Sequence, residues 1–94
     1  MAIQSFRHKG LKRLFENDDP RGLQAKFVTK LRDMLLAIDT ATSIEEIVLF
    51  PGWRLHPLKG DLAEYWSLTV SGNWRLIFCF EEGDAYDLDF VDYH

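Results

Sequence analysis

Residues 65–80 read Tyr65-Trp66-Ser67-Leu68-Thr69-Val70-Ser71-Gly72-Asn73-Trp74-Arg75-Leu76-Ile77-Phe78-Cys79-Phe80. Large apolar side chains recur at every second place on either side of Ser71-Gly72-Asn73. Trp66, Leu68 and Val70 precede it; Trp74, Leu76, Phe78 and Phe80 follow. Successive side chains of a strand point to opposite faces, so this period of two predicts two strands, each burying one face. Gly72 suits the tight hairpin turn between them. Arg75, Ile77 and Cys79 then fall on the face turned away from the core. Glu82-Gly83-Asp84 predicts another turn, and Tyr86, Leu88 and Phe90 continue the alternation into a third strand. The expected arrangement is an antiparallel meander.

Upstream the period changes. Trp53-Arg54-Leu55-His56-Pro57-Leu58 reads as an extended stretch whose Pro57 confines it to an edge. Before it the apolar spacing is helical. Leu11, Leu14 and Phe15 predict a short amphipathic helix, with Lys9, Lys12 and Arg13 among them. Asn17-Asp18-Asp19-Pro20 ends it. Phe27, Leu31, Met34, Leu35 and Ile38 form one face of a second helix over about 23–38. Ser43 and Glu46 predict a capping box for a short third helix ending near Ile47. Ile3 to Phe6 is expected to be a first strand, and His8 to take a surface or capping role. The expected fold is α+β: an N-terminal strand and two to three helices packed on an antiparallel meander. All 94 residues are expected to form a single domain, because a chain of that length supports only one core.

An apolar content of 47% separates the chain from disordered sequences. No apolar run approaches the roughly 20 residues of a membrane span. Residues 1–8 lack the apolar stretch of a signal peptide, so a cytoplasmic location is expected. Cys79, the single cysteine, cannot form an internal disulfide and reads as a small packed residue. The net charge of -4 argues against a polyanionic partner, but its distribution does not. Residues 1–60 carry ten Lys/Arg and seven Asp/Glu; residues 61–94 carry Arg75 alone against eight acids. A polyanion would therefore meet the first part of the chain together with Arg75.

Three places concentrate polar groups that a core does not explain. They are His56 with Lys59, then Arg75, then Asp92-Tyr93-His94. If strand ends bring them together, Lys59 and Arg75 favour an anion and disfavour a metal ion. Arg holds phosphate oxygens with a planar fork, and Lys acts as a mobile charge. Histidine exchanges a proton near neutral pH. Two histidines and a carboxylate supply an acid and a base, and a tyrosine ring stacks on an unpaired base. Phosphodiester cleavage by the ribose 2′-hydroxyl uses this set, with no cofactor and no metal. The rival metal site, His56, Asp92 and His94, would have Lys59 and Arg75 repelling its ion.

These residues also carry a resemblance. Ser5-Phe6-Arg7-His8-Lys9-Gly10-Leu11-Lys12, Arg54-Leu55-His56-Pro57-Leu58-Lys59-Gly60, Trp66-Ser67, Gly72 to Phe78 and Asp92-Tyr93-His94 are similar, in this order, to HigB toxins of the RelE/ParE superfamily. The resemblance implies a cytosolic endoribonuclease that enters the ribosomal A site and cuts messenger RNA there. It implies a HigA-type helix-turn-helix antitoxin as partner, through which operator DNA is met only indirectly. His56, Lys59, Arg75, Asp92, Tyr93 and His94 match the family's functional polar positions. We expect His56 or Asp92 as base, Arg75 and Lys59 at the phosphate, Tyr93 stacking or orienting, and His94 as acid. Lys9, Lys12, Arg13, Lys26, Lys30 and Arg54 are expected to contact RNA or ribosome. Such toxins tend to be basic, and this chain is acidic. The alternative function is that of a non-catalytic protein of the same fold, such as gyrase-directed relatives.

Overall fold

The computed structural model describes residues 1–92. Three helices, α1 (Lys9–Asn17), α2 (Ala25–Thr40) and α3 (Ile44–Val48), precede four strands. These are β1 (His56–Pro57), β2 (Tyr65–Ser71), β3 (Trp74–Glu81) and β4 (Asp84–Asp92). All neighbours pair antiparallel in the order β1-β2-β3-β4, as a meander requires. The expected N-terminal strand is a looser feature. Ile3 and Phe6 make isolated parallel bridges to Ala85 and Leu88 along the free edge of β4.

The helices cover one face of the sheet. Phe27, Leu31, Met34, Leu35 and Ile38 are all buried, so the apolar stripe of α2 faces the core as its spacing requires. They pack with Leu11, Leu14 and Ile47 against Leu68, Leu76, Phe78 and Leu88. An aromatic triad closes one end of this core. Trp74 stacks on Phe90 at 4.8 Å, and Phe27 meets both at 5.5 and 5.3 Å. The opposite face carries only a small cluster, Leu58, Tyr65 and Ile77.

Turn chemistry sets the register. Ser71 pairs with Trp74 across Gly72 and Asn73, and Glu81 pairs with Asp84 across Glu82 and Gly83. Glu82 and Gly83 both have positive φ, 51° and 86°, the pattern of a type I′ hairpin turn. Two irregularities depart from simple alternation. One extra residue in β4 lies between Tyr86 and Asp89, and Asp87 adopts φ 55° there. Ser5 holds it through its hydroxyl, which donates to the Asp87 carboxylate and accepts from its N–H. Consequently Ala85, not Tyr86, shares the core face with Leu88. Tyr86 pairs with Cys79 and joins the outer face. The other extra residue lies in β2 between Thr69 and Ser71.

Helix termini follow local side-chain chemistry. His8 caps α1: its Nδ1 accepts from the N–H groups of Gly10 and Leu11 at 3.0 and 3.3 Å. Asp18 ends that helix in the left-handed region, φ 51°. The expected capping box of α3 is displaced by one residue. Ser43 occupies the cap position without a side-chain bond, and the Glu46 carboxylate reaches back to the N–H and hydroxyl of Thr42. Those two bonds hold Glu46 below the usual carboxylate range.

Gly10 gives this arrangement a testable asymmetry. A Cβ there would lie 2.8 Å from the His8 ring and 2.9 Å from the backbone oxygen of Gly22. In an open helix Ala is better than Gly by roughly 1 kcal/mol. Here Gly10→Ala is expected to lower the melting temperature instead. Thermal denaturation checks this, and an unchanged or raised melting point contradicts it.

Candidate active site

β1 exists because Trp53 to Pro57 lies along the free edge of β2, where a proline removes no needed ladder donor. The Trp53 carbonyl accepts from Thr69 N–H at 2.7 Å, and Leu58 N–H donates to the Tyr65 carbonyl at 2.9 Å. Between these anchors His56 pairs with Ser67 and Pro57 with Trp66. Register then carries His56 across the outer face in one row: His56, Ser67, Ile77, Asp89. The adjacent row, towards Gly72, is Thr69, Arg75, Val91.

His56 is exposed, and its Nδ1 lies 2.9 Å from the Arg54 carbonyl oxygen. A carbonyl only accepts, so Nδ1 carries a proton, and in the neutral ring Nε2 keeps its lone pair. Lys59 follows at the start of a 3-10 turn (Gly60–Leu62), and its side chain is exposed. His56, Pro57, Leu58 and Lys59 line one small recess of about 190 Å³. Arg75 stands two strands away, roughly 10 Å across the sheet. Its guanidinium folds onto the carbonyls of Gly72 and Trp74, the latter at 3.1 Å. Both acceptors are neutral, and the described ion pairs are Arg21 with Asp19 and Arg32 with Asp18. Among the described residues no ion pair is formed by Arg75, although Asp89 stands one row away on the same face.

Asp92 is placed differently. It pairs with Trp74, so alternation gives it the core-side face, while Val91 sits opposite Arg75. β1 and β4 are the two edges, three strand spacings or roughly 14 Å apart. The fold thus groups His56 with Lys59, sets Arg75 between the edges, and puts Asp92 at the far edge. Tyr93 and His94 lie outside the described residues.

The basic residues divide as well. Lys26 and Lys30, one helical turn apart, line a cleft of about 330 Å³ with Phe27, Val70 and Ser71. Lys26 Nζ lies 5.1 Å over the Phe27 ring. The extra residue in β2 turns Ser71 to Trp74's side, so this cleft backs onto the turn whose other side holds Arg75. Arg54 is exposed just before β1. Lys9, Lys12 and Arg13 are exposed on α1, in the helical layer rather than on the His56 face. A groove of about 260 Å³ between α1 and α2 is lined by Leu14, Phe15, Asp18, Arg32, Leu35 and Leu36, and its carboxylate, Asp18, is paired with Arg32.

Alternation alone did not single out three residues on the outer face. Thr69 is opposite Arg75, a pairing readable by counting back from the Gly72 turn and allowing for the extra residue. Arg7 reaches across to the Tyr65 hydroxyl at 3.1 Å, a contact without local sequence signal. Ser67 is fully buried, and its hydroxyl has no hydrogen-bond partner among the described residues. Cys79 is half-buried, and burial followed by the charge of Asp87 pushes its thiol up, away from nucleophilic use.

The family relationship settles what kind of protein carries this face. A model of RelE-like toxins of the type II toxin–antitoxin system HigB matches residues 4–94. This chain belongs to the HigB-like toxin family. It is 53% identical over 92 residues to Endoribonuclease HigB of Proteus vulgaris, covering 98% of this chain and 99% of that protein. It is 30% identical to Toxin HigB-1 of Vibrio cholerae, across 100% of this chain and 98% of that one. The fold is also that of the YoeB dimer structure from Staphylococcus aureus, at TM-score 0.60 and 21% identity, covering 100% and 97% of the two chains. YafQ from Escherichia coli matches at TM-score 0.58 and 17% identity, covering 96% and 90%.

The orphaned hydroxyl of Ser67 supplies the test for this face of the HigB-like fold. A buried unpaired hydroxyl costs about 1–3 kcal/mol. Ser67→Ala is expected to leave stability unchanged or raise it, measured by urea unfolding. A loss above about 1 kcal/mol would reveal a bond that holds the sheet.

Proposed function

We propose that this HigB-like toxin cuts messenger RNA in the ribosomal A site by 2′-hydroxyl attack on the adjacent phosphate. The broader reading, an endoribonuclease toxin with an antitoxin partner, rests on family membership and on near full-length identity to Endoribonuclease HigB. The finer reading rests on one observation: an exposed imidazole, bonded through Nδ1 to a carbonyl, shares a sheet face with an arginine that forms no described ion pair.

The chemistry balances without a cofactor. His56 Nε2 takes the proton of the ribose 2′-hydroxyl, and the resulting oxygen attacks phosphorus. The bond to the 5′-oxygen breaks, and that oxygen leaves with a proton from an acid, a role assigned to His94. Products are a 2′,3′-cyclic phosphate and a 5′-hydroxyl. Arg75 and Lys59 offset the charge that builds on the phosphate oxygens. His56 is favoured over Asp92 as base because it lies on the Arg75 face and Asp92 does not. Tyr93 is assigned to stacking on a base. Lys26, Lys30 and Arg54 extend the track around the Gly72 turn, while Lys9, Lys12 and Arg13 meet ribosomal RNA from the helical side. The proposed partner is a HigA-type helix-turn-helix antitoxin, and the site of action is the cytoplasm. Among the described residues no helix is long and apolar enough to cross a membrane.

Purified protein is expected to cut a translated message on ribosomes and to leave the naked transcript intact; equal cleavage of both would refute ribosome dependence. His56→Ala and Arg75→Ala should each lower cleavage by about 10²–10⁴-fold. Both should melt within a few degrees of the parent, because neither side chain is in the core. A folded variant with full activity removes that residue from the site.

Phosphate contacts release counterions, so each lost contact flattens the salt dependence of RNA binding by about one unit of slope. Lys26→Ala with Lys30→Ala is expected to reduce that slope by about two. An unchanged slope would place the RNA elsewhere.

A further inference from the structure

We infer that Arg54 is a positioning residue for His56: its backbone carbonyl, held by a left-handed conformation, keeps the proton on Nδ1 and leaves Nε2 free to accept one. This rests on the reading of His56 as base.

The geometry follows from a mismatch in length. Along β2, Thr69 and Ser67 are two residues apart. Their partners on the edge, Trp53 through its carbonyl and His56 through register, are three apart. The edge segment must absorb one extra residue, as a bulge does. Arg54 absorbs it with φ 52°, a conformation that L side chains with a branched Cβ strongly resist. The anchors on both sides are firm. Trp53 is tied to Thr69 and stacked on Phe50 at 4.2 Å, and Leu58 is tied to Tyr65. Within this frame the Arg54 carbonyl oxygen comes to 2.9 Å from His56 Nδ1.

The consequence concerns which nitrogen bears the proton. A neutral imidazole in water prefers it on Nε2, and a hydrogen bond at Nδ1 reverses that preference. The chain holds both cases. His8 Nδ1 accepts from Gly10 and Leu11, so its proton is on Nε2. His56 Nδ1 donates, so its proton is on Nδ1. Only the second arrangement offers the exposed Nε2 as a base. The wrong tautomer in a serine-protease histidine costs roughly 10⁴-fold.

Two variants separate the backbone from the side chain. Arg54→Gly and Arg54→Ile both remove the guanidinium, but Gly accepts a positive φ and Ile resists it. Ring nitrogen shifts of His56 and His8 are measured by NMR in purified protein at a pH where both are neutral, and cleavage is measured on ribosomes. Parent and Arg54→Gly are expected to show His56 protonated at Nδ1. Arg54→Ile is expected to gain the Nε2 form and to cleave at least about tenfold more slowly than Arg54→Gly, a fraction of the full tautomer penalty. His8 should stay protonated at Nε2 throughout. Parent His56 protonated at Nε2, or equal cleavage by the two variants, overturns the inference. If Arg54→Ile does not fold, the parent spectrum alone decides the tautomer. His56→Ala with full cleavage would overturn the base reading, and Arg54's positioning role in cleavage with it, whatever the spectrum of the parent.

Discussion

Phe78 is fully buried at the middle of β3, and its burial fixes which face of the sheet the side chains of that strand take. Side chains alternate, so a slip of one residue would expose Phe78 and Leu76 and turn Arg75 inward. Exposing each large apolar side chain costs about 1.5–3 kcal/mol, and an unpaired buried guanidinium costs several more. Arg75 thus reaches the outer face because its neighbours cannot. The Gly72 and Gly83 turns reinforce the choice by allowing one pairing at each end of β3. Stability and the outward placement of Arg75 come from one constraint.

The departures from that regularity are where the surface acquires its particular form. Three segments carry one residue more than their partners. The extra residue in β2 sends Ser71 to the lysine cleft. The one in β4 exchanges Tyr86 for Ala85 in the core and is pinned by Ser5. The third, at Arg54, sets the carbonyl against His56. A bulge re-aims a side chain without disturbing the pairing beyond it. Each therefore alters one local group while Phe78 and its neighbours stay in place.

This explains which parts could be read from the sequence. The face of α2, the two hairpins and the outward Arg75 follow from periodicity, because burial dominates each. His8 as a cap follows from its position before an apolar helical run. The face of Tyr86 was misread because a bulge leaves no mark on composition. Ser43 does hold the cap position, but the bonds of Glu46 go to Thr42, and the spacing of Ser43 and Glu46 does not encode that choice. Among candidate site residues, His56 and Lys59 are neighbours in the chain, so their proximity was legible. Their relation to Asp92 depends on sheet order and on the parity of pairing at Trp74. Alternation within single strands encodes neither, and convergence on one face did not extend to Asp92.

The acidic net charge becomes intelligible on the same frame. Glu64 precedes β2, Glu81 ends β3 and Asp84 begins β4, so these acids gather at one end of the sheet. Arg75, Lys26 and Lys30 surround the opposite end, beside the Gly72 turn. Six residues of strand separate Arg75 from Glu81, roughly 20 Å. The screening length at physiological salt is about 8 Å. Over more than two such lengths, carboxylates at one end barely weaken the field at the other. What a polyanion meets is then set by the end it approaches, and the separation favours approach with the Gly72 turn leading. Lys59 is the exception, since Asp61 and Glu64 follow it closely in the chain. In the proposed reaction its contribution at the phosphate is expected to be weaker than that of Arg75, whose described hydrogen bonds go to neutral carbonyls. The net charge of -4 thus averages an acidic end with an end where Arg75, Lys26 and Lys30 outnumber Asp92.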